Sequence, residues 1–333
     1  MSNFTKSRIK ELFDSFKDCR VAVIGDLMLD SYMWGDVKRI SPEAPVPVVE
    51  VMSESVKLGG AANVANNIIN LGARAIPFGV VGDDISGEQI RHLFSQLGLQ
   101  VNGVVTDVSR PTTIKTRIIA NDQHVVRADV ESKSDLSGDM ERLMLSTFKE
   151  MVDEIDGVIF QDYNKGVITD RLIREVVDLC SAHNIFVTVD PKFNNFFSYT
   201  KVNLFKPNRR ETEQVLGRVI RTDEDIFNAA QTLFERLSCK SILITRGPKG
   251  MSLFEKAGEK PLHIPTHAMK IHDVSGAGDT VISTIIVAKL AGATLVESAH
   301  FANYAAGIVC AEVGVVPIEC HRLNEELLKD IDK

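Results

Sequence analysis

Apolar and polar positions follow two alternating periods along this chain, and the switches between them outline the fold. Ile9, Leu12, Phe13 and Phe16 recur at helical spacing and predict a short amphipathic first helix. Val21-Ala22-Val23-Ile24 is a compact apolar run closed by Gly25-Asp26, which reads as a strand, and Leu27-Met28-Leu29-Asp30 follows directly. Downstream the periods take turns. Strands are predicted at 76–81, 158–162, 186–192, 202–205 and 241–245, and helices at 87–97, 140–152, 171–180, 211–216 and 223–237. A helix is also expected from Ala61 to about Gly72, and a buried one along the apolar run Val281 to Leu290. This rhythm predicts one α/β domain over 1–333, a doubly wound, mainly parallel sheet with helices on both faces.

Two stretches break the rhythm. Pro42, Pro45 and Pro47 exclude a helix over 36–52, and Val46, Val48 and Val49 among them suggest an edge strand. Thr113 to Ile119 and Gln123 to Arg127 flank Asn121-Asp122, a hairpin turn signal. The two regions are expected to pair into a small β lid, about 33–52 and 110–129, outside the main sheet. Such a flap can close over a ligand. Its exposed edge invites a second copy, so a homodimer through the lid is expected.

Composition narrows the classes. The 333 residues are 44% hydrophobic and 25% charged, as in ordinary globular proteins, and the formal net charge of −7 argues against a nucleic-acid surface. Five scattered cysteines form no C-x-x-C pair and read as reduced cytosolic residues, mostly core filler, not as a metal site. No signal-peptide pattern opens the chain, and the strongest apolar run is short and holds Lys289. A cytoplasmic location without membrane contact is the expectation.

The candidate chemistry gathers where strands end. Asp26, Asp30, Asp162, Asp190, Lys192, Asn208, Thr245 and Arg246 all lie at or just beyond predicted strand ends, which in such sheets face one crevice. His272-Asp273-Val274-Ser275-Gly276-Ala277-Gly278-Asp279-Thr280 leads into the apolar helix. Its glycines allow a sharp turn and close approach, and a helix N-terminus aims free N–H groups at an anion. Asp279 beside such a pocket reads as an acceptor for the proton of an attacking group, or as a plain first-turn carboxylate. Gly59-Gly60 open the helix carrying Asn63, where they either admit a ligand or only make a tight turn. Asn208 and Glu211, three apart, share a helix face, with oxygens suited to Mg²⁺ through water; the same pair also reads as a capping box. His272 reads as a strand-end or rim residue, and Met251 and Phe254 as strand packing. Neither G-x-x-x-x-G-K-[ST] nor a G-x-G-x-x-G opening a helix occurs. Phosphoryl transfer to an alcohol fits the set, since it needs a base, dipoles or cations for the phosphate, and a divalent metal.

Gly59-Gly60 with Asn63, Asn208-x-x-Glu211 and Asp273-Val274-Ser275-Gly276-Ala277-Gly278-Asp279 occur in the order and spacing of the ribokinase (pfkB) family of sugar kinases, which the chain resembles over about 18–318. Gly25-Asp26, Arg39 to Val48, Asp162 to Gly166, Asp190-Pro191-Lys192 and Phe301-Ala302-Asn303 resemble the branch of that family that phosphorylates a heptose 7-phosphate. The resemblance implies a carbohydrate kinase that uses ATP and Mg²⁺. It would phosphorylate the C1 hydroxyl of D-glycero-β-D-manno-heptose 7-phosphate on the route to ADP-heptose for lipopolysaccharide. It implies Asp279 as base, the backbone of Gly276, Ala277 and Gly278 as anion hole, and Asp30 and Asn63 as sugar ligands beside Gly59 and Gly60. Asn208 and Glu211 fall in the Mg²⁺–phosphate region. Thr245, Arg246, Gly247, Gly250 and Asn303 fall where the nucleotide binds, and Asp273 corresponds to a monovalent-cation position, such as one for K⁺. Ser275-Gly276 stands where the family often has Thr-Gly. Lys165, Lys192, Arg117 and Arg127 are the candidate cations for the substrate's own phosphate, and Tyr163 reads equally as a sugar contact or as packing. The branch is often fused to a nucleotidyltransferase; with the chain ending at Lys333, that step is expected from a separate protein. The alternatives are a kinase of another sugar or sugar phosphate and, more remotely, a non-catalytic sugar-binding regulator.

Overall fold

The computed structural model describes residues 4–121, 123–267 and 272–331. Its strands are β1 (Arg20–Gly25), β2 (Leu27–Ile40), β3 (Pro47–Gly60), β4 (Arg74–Val81), β5 (Val104–Thr106), β6 (Thr113–Ala120), β7 (Gln123–Val130), β8 (Gly157–Gln161), β9 (Phe186–Asp190), β10 (Leu204–Phe205), β11 (Ser241–Thr245), β12 (Met251–Phe254) and β13 (Leu262–Ile264). Nine form one sheet in the order β13-β12-β11-β10-β9-β8-β1-β4-β5. Pairing is parallel from β11 to β5, and β12 and β13 close the far edge antiparallel.

The central strands show why the expected rhythm holds. Side chains of β1 leave alternately to opposite faces. Ala22 and Ile24 join Phe160, Val176 and Leu233 in one apolar layer, while Val21 and Val23 join Ala61, Ile286 and Phe301 in the other. The first layer is roofed by helices Gly138–Met151, Asp170–Ala182 and Asp223–Leu237, the second by Lys6–Ser15, Ala61–Asn70, Ala277–Leu290 and Leu295–Cys310. Leu295–Cys310 carries little polar punctuation and its apolar residues run nearly all round, so no amphipathic stripe marks it in the sequence. Strand order reverses at β1, which has β4 on one side and β8 on the other. The crevice of such a sheet opens beyond the carboxyl ends of these strands.

The smaller sheet has the order β3-β2-β6-β7. It takes in more chain than the prolines suggest. β2 and β3 pair without interruption from Leu27↔Gly60 to Ile40↔Pro47, absorbing irregularities between Trp34 and Gly35 and between Val37 and Arg39. Pro42 and Pro45 fall in the connecting turn, and Pro47 opens β3, where a missing N–H is tolerated. Asp30, Gly59 and Gly60 therefore belong to the lid itself, and Asp30 does not lie on the end of β1. At the tip of β6–β7, Asn121 adopts the left-handed region at φ 49, and Asp122 lies outside the described residues. Among the described residues, no helix is long and apolar enough to cross a membrane.

Candidate active site

Helix Ala277–Leu290 begins beneath the crevice, and its cap is Gly276 at φ 79, a conformation glycine adopts without strain. A Cβ at Gly276 would stand 3.3 Å from the Asn63 amide nitrogen. The Ala277 N–H is drawn into the turn by Val274 O at 3.3 Å. The first-turn amides of Gly278 and Asp279 are thereby the ones helix geometry leaves for an anion, a narrower hole than one built on Ala277.

Asp279 is 4% exposed. Its Oδ2 accepts from Asn63 Nδ2 at 2.7 Å, and its Oδ1 accepts from the Tyr163 hydroxyl at 2.7 Å and from Gln161 Nε2 at 3.1 Å. Burial pushes the carboxyl up, the Asn63 and Tyr163 hydrogen bonds pull it down, and Asp190 raises it again, so that it titrates at about 6. Behind it, Lys206 Nζ meets Asp190 Oδ2 at 2.9 Å, both side chains being under a tenth exposed. A Cβ added to Gly278 would lie 3.8 Å from Lys206 Nζ and 3.6 Å from Asp190 Oδ2. A buried ammonium thus stands against the anion turn.

Of the sugar-side candidates, Asn63 reaches the same carboxylate. Asn63 projects from helix Ala61–Asn70, which Gly60 caps at φ 55. At Gly59 a Cβ would fall 2.6 Å from Asp30 Oδ2, so this glycine makes room for Asp30. Asp30 is buried and hydrogen-bonds Arg117, whose guanidinium lies 5.2 Å from the Tyr32 ring centre. Lys165 pairs with Glu131 at 2.5 Å. Lys192 hydrogen-bonds Glu211 and lies 5.5 Å from the Tyr163 ring centre, which puts it on the side of the Gly276–Asp279 turn. Arg127 is exposed and pairs with Asp129 at 2.9 Å.

On the opposite side of the turn lies an open cleft. Thr245, Gly247, Gly250 and Asn303 line it together with Ala277 and Gly278, and its walls are mostly apolar. Met251 lines it too, while Phe254 is packed in the core. Arg246 points elsewhere: its guanidinium binds Asp223 at 2.5 Å, Ser252 Oγ at 3.2 Å and His263 Nδ1 at 3.1 Å. His272 is exposed and donates its amide to Cys310 O at 2.8 Å. Asp273 accepts from the amides of Ser275 at 2.9 Å and Gly314 at 3.0 Å. Burial opposes its charge, but those amides outweigh burial and hold the carboxyl below its ordinary value.

Asn208 and Glu211 form the capping box, Glu211 N–H donating to Asn208 Oδ1 at 2.9 Å and Asn208 N–H to Glu211 Oε2 at 2.8 Å. Among the described residues, no group of three His, Cys, Asp or Glu could cage a metal. A single carboxylate suits Mg²⁺ that keeps its waters and is held mainly by phosphate oxygens.

Sequence patterns did not mark the Tyr163 hydroxyl, Gln161 or Lys206 as neighbours of Asp279. The available signal was position: each sits at a strand end or just past it, facing the crevice. The geometry carries a pH prediction. A base at Asp279 would have to be ionised to accept a proton, and this carboxyl titrates at about 6 in the ligand-free protein, so kcat/KM is expected to fall as pH drops through about 6. A pH profile of kcat/KM from about 3.5 to 8 checks it; an acid limb centred near 4 would contradict it.

Comparison with known proteins follows the same lines. The model of the pfkB family carbohydrate kinases matches residues 19–319. Bifunctional protein HldE of Geobacter sulfurreducens is 41% identical over 309 residues, covering 93% of this chain and 63% of the relative. Bifunctional protein HldE of Helicobacter pylori is 42% identical over 295 residues, covering 89% and 63%. The chain thus spans less than two thirds of the length of these relatives. Among solved structures, Arabidopsis thaliana ribokinase complexed with ribose and ATP superposes with a TM-score of 0.73 at 21% identity, covering 93% of this chain and 98% of that one. Phosphofructokinase-2 from Escherichia coli in complex with potassium gives 0.75 at 18%, covering 95% and 99%.

Proposed function

The chain belongs to the pfkB family of carbohydrate kinases, and from that membership we propose that it transfers the γ-phosphoryl group of ATP to the C1 hydroxyl of a heptose 7-phosphate, giving the 1,7-bisphosphate. One observation carries the reading. Asp279 hydrogen-bonds Asn63 on the lid side, while Gly278 and Ala277, one and two residues before it, line the cleft on the other. Sugar and nucleotide then meet at a single turn.

Each residue has a task in that geometry. Asp30 and Asn63 hold sugar hydroxyls, and Asp279 accepts the proton of the attacking hydroxyl. The amides of Gly278 and Asp279, with the Lys206 ammonium, stabilise charge on the phosphoryl group in flight. Thr245, Gly247, Gly250 and Asn303 border the nucleotide, with Met251 offering an apolar wall. Mg²⁺ would be held by ATP oxygens near Asn208 and Glu211 and would supply charge neutralisation between the phosphates. Asp273, ionised and turned to the loop amides, is the proposed anchor of a monovalent cation.

The heptose assignment is supported by the two similar bifunctional proteins and by the phosphate-binding potential of Lys165 and its neighbours. On this reading a nucleotidyltransferase activity consumes the product. Exposed Ile40, Val51, Met52, Val126 and Val130 on the lid sheet support a homodimer joined there. ADP release over heptose 7-phosphate, fructose 6-phosphate, ribose and fructose tests the substrate. The heptose phosphate is expected to exceed the others in kcat/KM by about a hundredfold or more. A higher value for any other sugar would overturn the heptose assignment and leave a kinase of that sugar.

A further inference from the structure

A carboxylate offers about four acceptor sites, two on each oxygen. Among the described residues, three donors use those of Asp279. The Tyr163 hydroxyl and Gln161 Nε2 both meet Oδ1, at 2.7 and 3.1 Å, and Asn63 Nδ2 meets Oδ2 at 2.7 Å. Gln161 Nε2 also lies 3.4 Å from Asp190 Oδ2, so two carboxylates fix which end of its amide faces them. Oδ1 is filled, and the acceptor site left over belongs to Oδ2. That oxygen is on the side of Asn63, whose helix follows the glycines beside Asp30. A sugar held by the lid arrives from there.

Tyr163 is fixed through its backbone. Its N–H donates to Asp26 Oδ2 at 2.7 Å, and the N–H groups of Lys165 and Val167 reach the same carboxylate at 3.2 and 3.3 Å. Across the loop, Asp162 accepts from the Asn164 N–H at 2.8 Å and from the Tyr199 hydroxyl at 2.7 Å. Asn164 and Gly166 take the left-handed region, at φ 55 and 77, which winds the loop tightly. Asp26 O accepts the Ala61 amide at 3.0 Å, two residues before Asn63. A single residue just past β1 therefore sets both donors that flank the base. Loss of water around the Tyr163 hydroxyl, together with the charge of Asp279, pushes it well above its ordinary value, so it stays a donor.

We propose that Tyr163 is a positioning residue of the base: with Gln161 it occupies Oδ1 of Asp279, and so leaves Oδ2 as the oxygen that takes the proton of the attacking sugar hydroxyl. This deepens the kinase reading above and rests on it. In the step, the hydroxyl proton passes to Oδ2, the hydroxyl oxygen bonds to the γ-phosphorus, and the bond from that phosphorus to the β-phosphate oxygen breaks, releasing ADP. Pinning Oδ1 stops the carboxylate from turning and, as a hydrogen bond to the charged form, favours ionisation. Burial raises Asp279 most, Asn63 and Tyr163 lower it, Asp190 at the end of β9 raises it, and Lys206 just past β10 lowers it. Lys192 stands nearby, raised by Asp190, Glu211 and Asp279 against the opposing effect of burial. Asp26, which burial and Asp162 push up to about 7, holds the Tyr163 loop by backbone amides alone. Tyr163→Phe leaves all of these groups in place.

The test is the pH profile of kcat/KM for the sugar, from about 3.5 to 9, in wild type and Tyr163→Phe. The sugar is whichever of heptose 7-phosphate, fructose 6-phosphate, ribose and fructose wild type turns over best. Phenylalanine keeps the ring beside Lys192 and removes the donor. The acid limb is expected to move up from about 6 by about one pH unit. kcat/KM then drops roughly tenfold on the acid side and far less above about pH 8. Carbon-13 NMR of the Asp279 carboxyl in the ligand-free variant should show the same upward shift and also reports that the variant is folded. A loss of equal size at every pH, with the limb and the NMR titration unmoved, would overturn the positioning role and leave Asp279 as base. Wild type without sugar-dependent ADP release on any of the four would sink the kinase reading instead, and the NMR titration would still decide whether Tyr163 pins the carboxyl.

Discussion

Asp279→Asn is expected to lower kcat by about 10²–10⁴-fold, the range supplied by a positioned base, with nucleotide binding nearly unchanged. Asparagine keeps the shape and an oxygen for the Asn63 amide, the Tyr163 hydroxyl can turn to accept from the new NH₂, and the Gln161 amide can flip to present its oxygen in place of its NH₂. It cannot take a proton. Folding raises this carboxyl from 3.8 to about 6. Its ionised form therefore costs the folded state stability above pH 6, and the cost vanishes below pH 3.8. The variant should consequently melt no lower than wild type at pH 8. Steady-state kinetics, ATP titration and calorimetry on one preparation separate these effects. Full activity in the variant would remove Asp279 as base.

Lys206→Met carries the second large effect, and it strikes two properties at once. The ammonium stands against the turn proposed to cradle the phosphoryl group, so its loss should reduce kcat by about 10²–10³-fold, the cost of one oriented charge-stabilising group. It also leaves Asp190 buried without its partner at 2.9 Å. Breaking a buried pair in this way costs about 3–5 kcal/mol, seen as a drop in Tm. The same change raises the Asp279 pKa, because Lys206 lowers it and Asp190 raises it. The acid limb of the pH profile should move to higher pH. Adding Asp190→Asn should restore Tm but not kcat. Recovery of kcat in the double variant would mean that Lys206 serves stability alone.

These two residues show what could and could not be read along the chain. Asp279 was legible because glycines, a carboxylate and an apolar helix occur together in a short stretch, and local backbone chemistry gives that pattern meaning. The parallel sheet was legible because β1, β8 and β9 are apolar on both faces and bounded by polar ends. Lys206 and Asp190 were not legible as a pair. They sit on neighbouring strands, and only the register Leu204↔Thr188 and Phe205↔Val189 brings their ends together. The lid was underestimated for a related reason: β3 continues through Ser53-Glu54-Ser55, polar residues stabilised by pairing with β2 and not by burial. Arg246 was placed at the nucleotide by its position after β11, yet Asp223, Ser252 and His263 offer its guanidinium better partners outside the cleft. Tyr163 could be packing or contact on sequence grounds; its hydroxyl hydrogen-bonds Asp279. The double reading of Asn208-x-x-Glu211 survives as a capping box, with Lys192 added to the second carboxylate oxygen.

The central claim is that Asp279 and the turn before it pass a phosphoryl group from ATP to the anomeric hydroxyl of a sugar already phosphorylated at its other end. Phosphorus NMR of the enzyme incubated with ATP, Mg²⁺ and heptose 7-phosphate tests this most directly. The account predicts a new sugar-phosphate signal coupled to the anomeric proton, growing in step with ADP while the original sugar phosphate persists. ADP and free phosphate without a new phosphate ester, or an ester on another carbon, would contradict it.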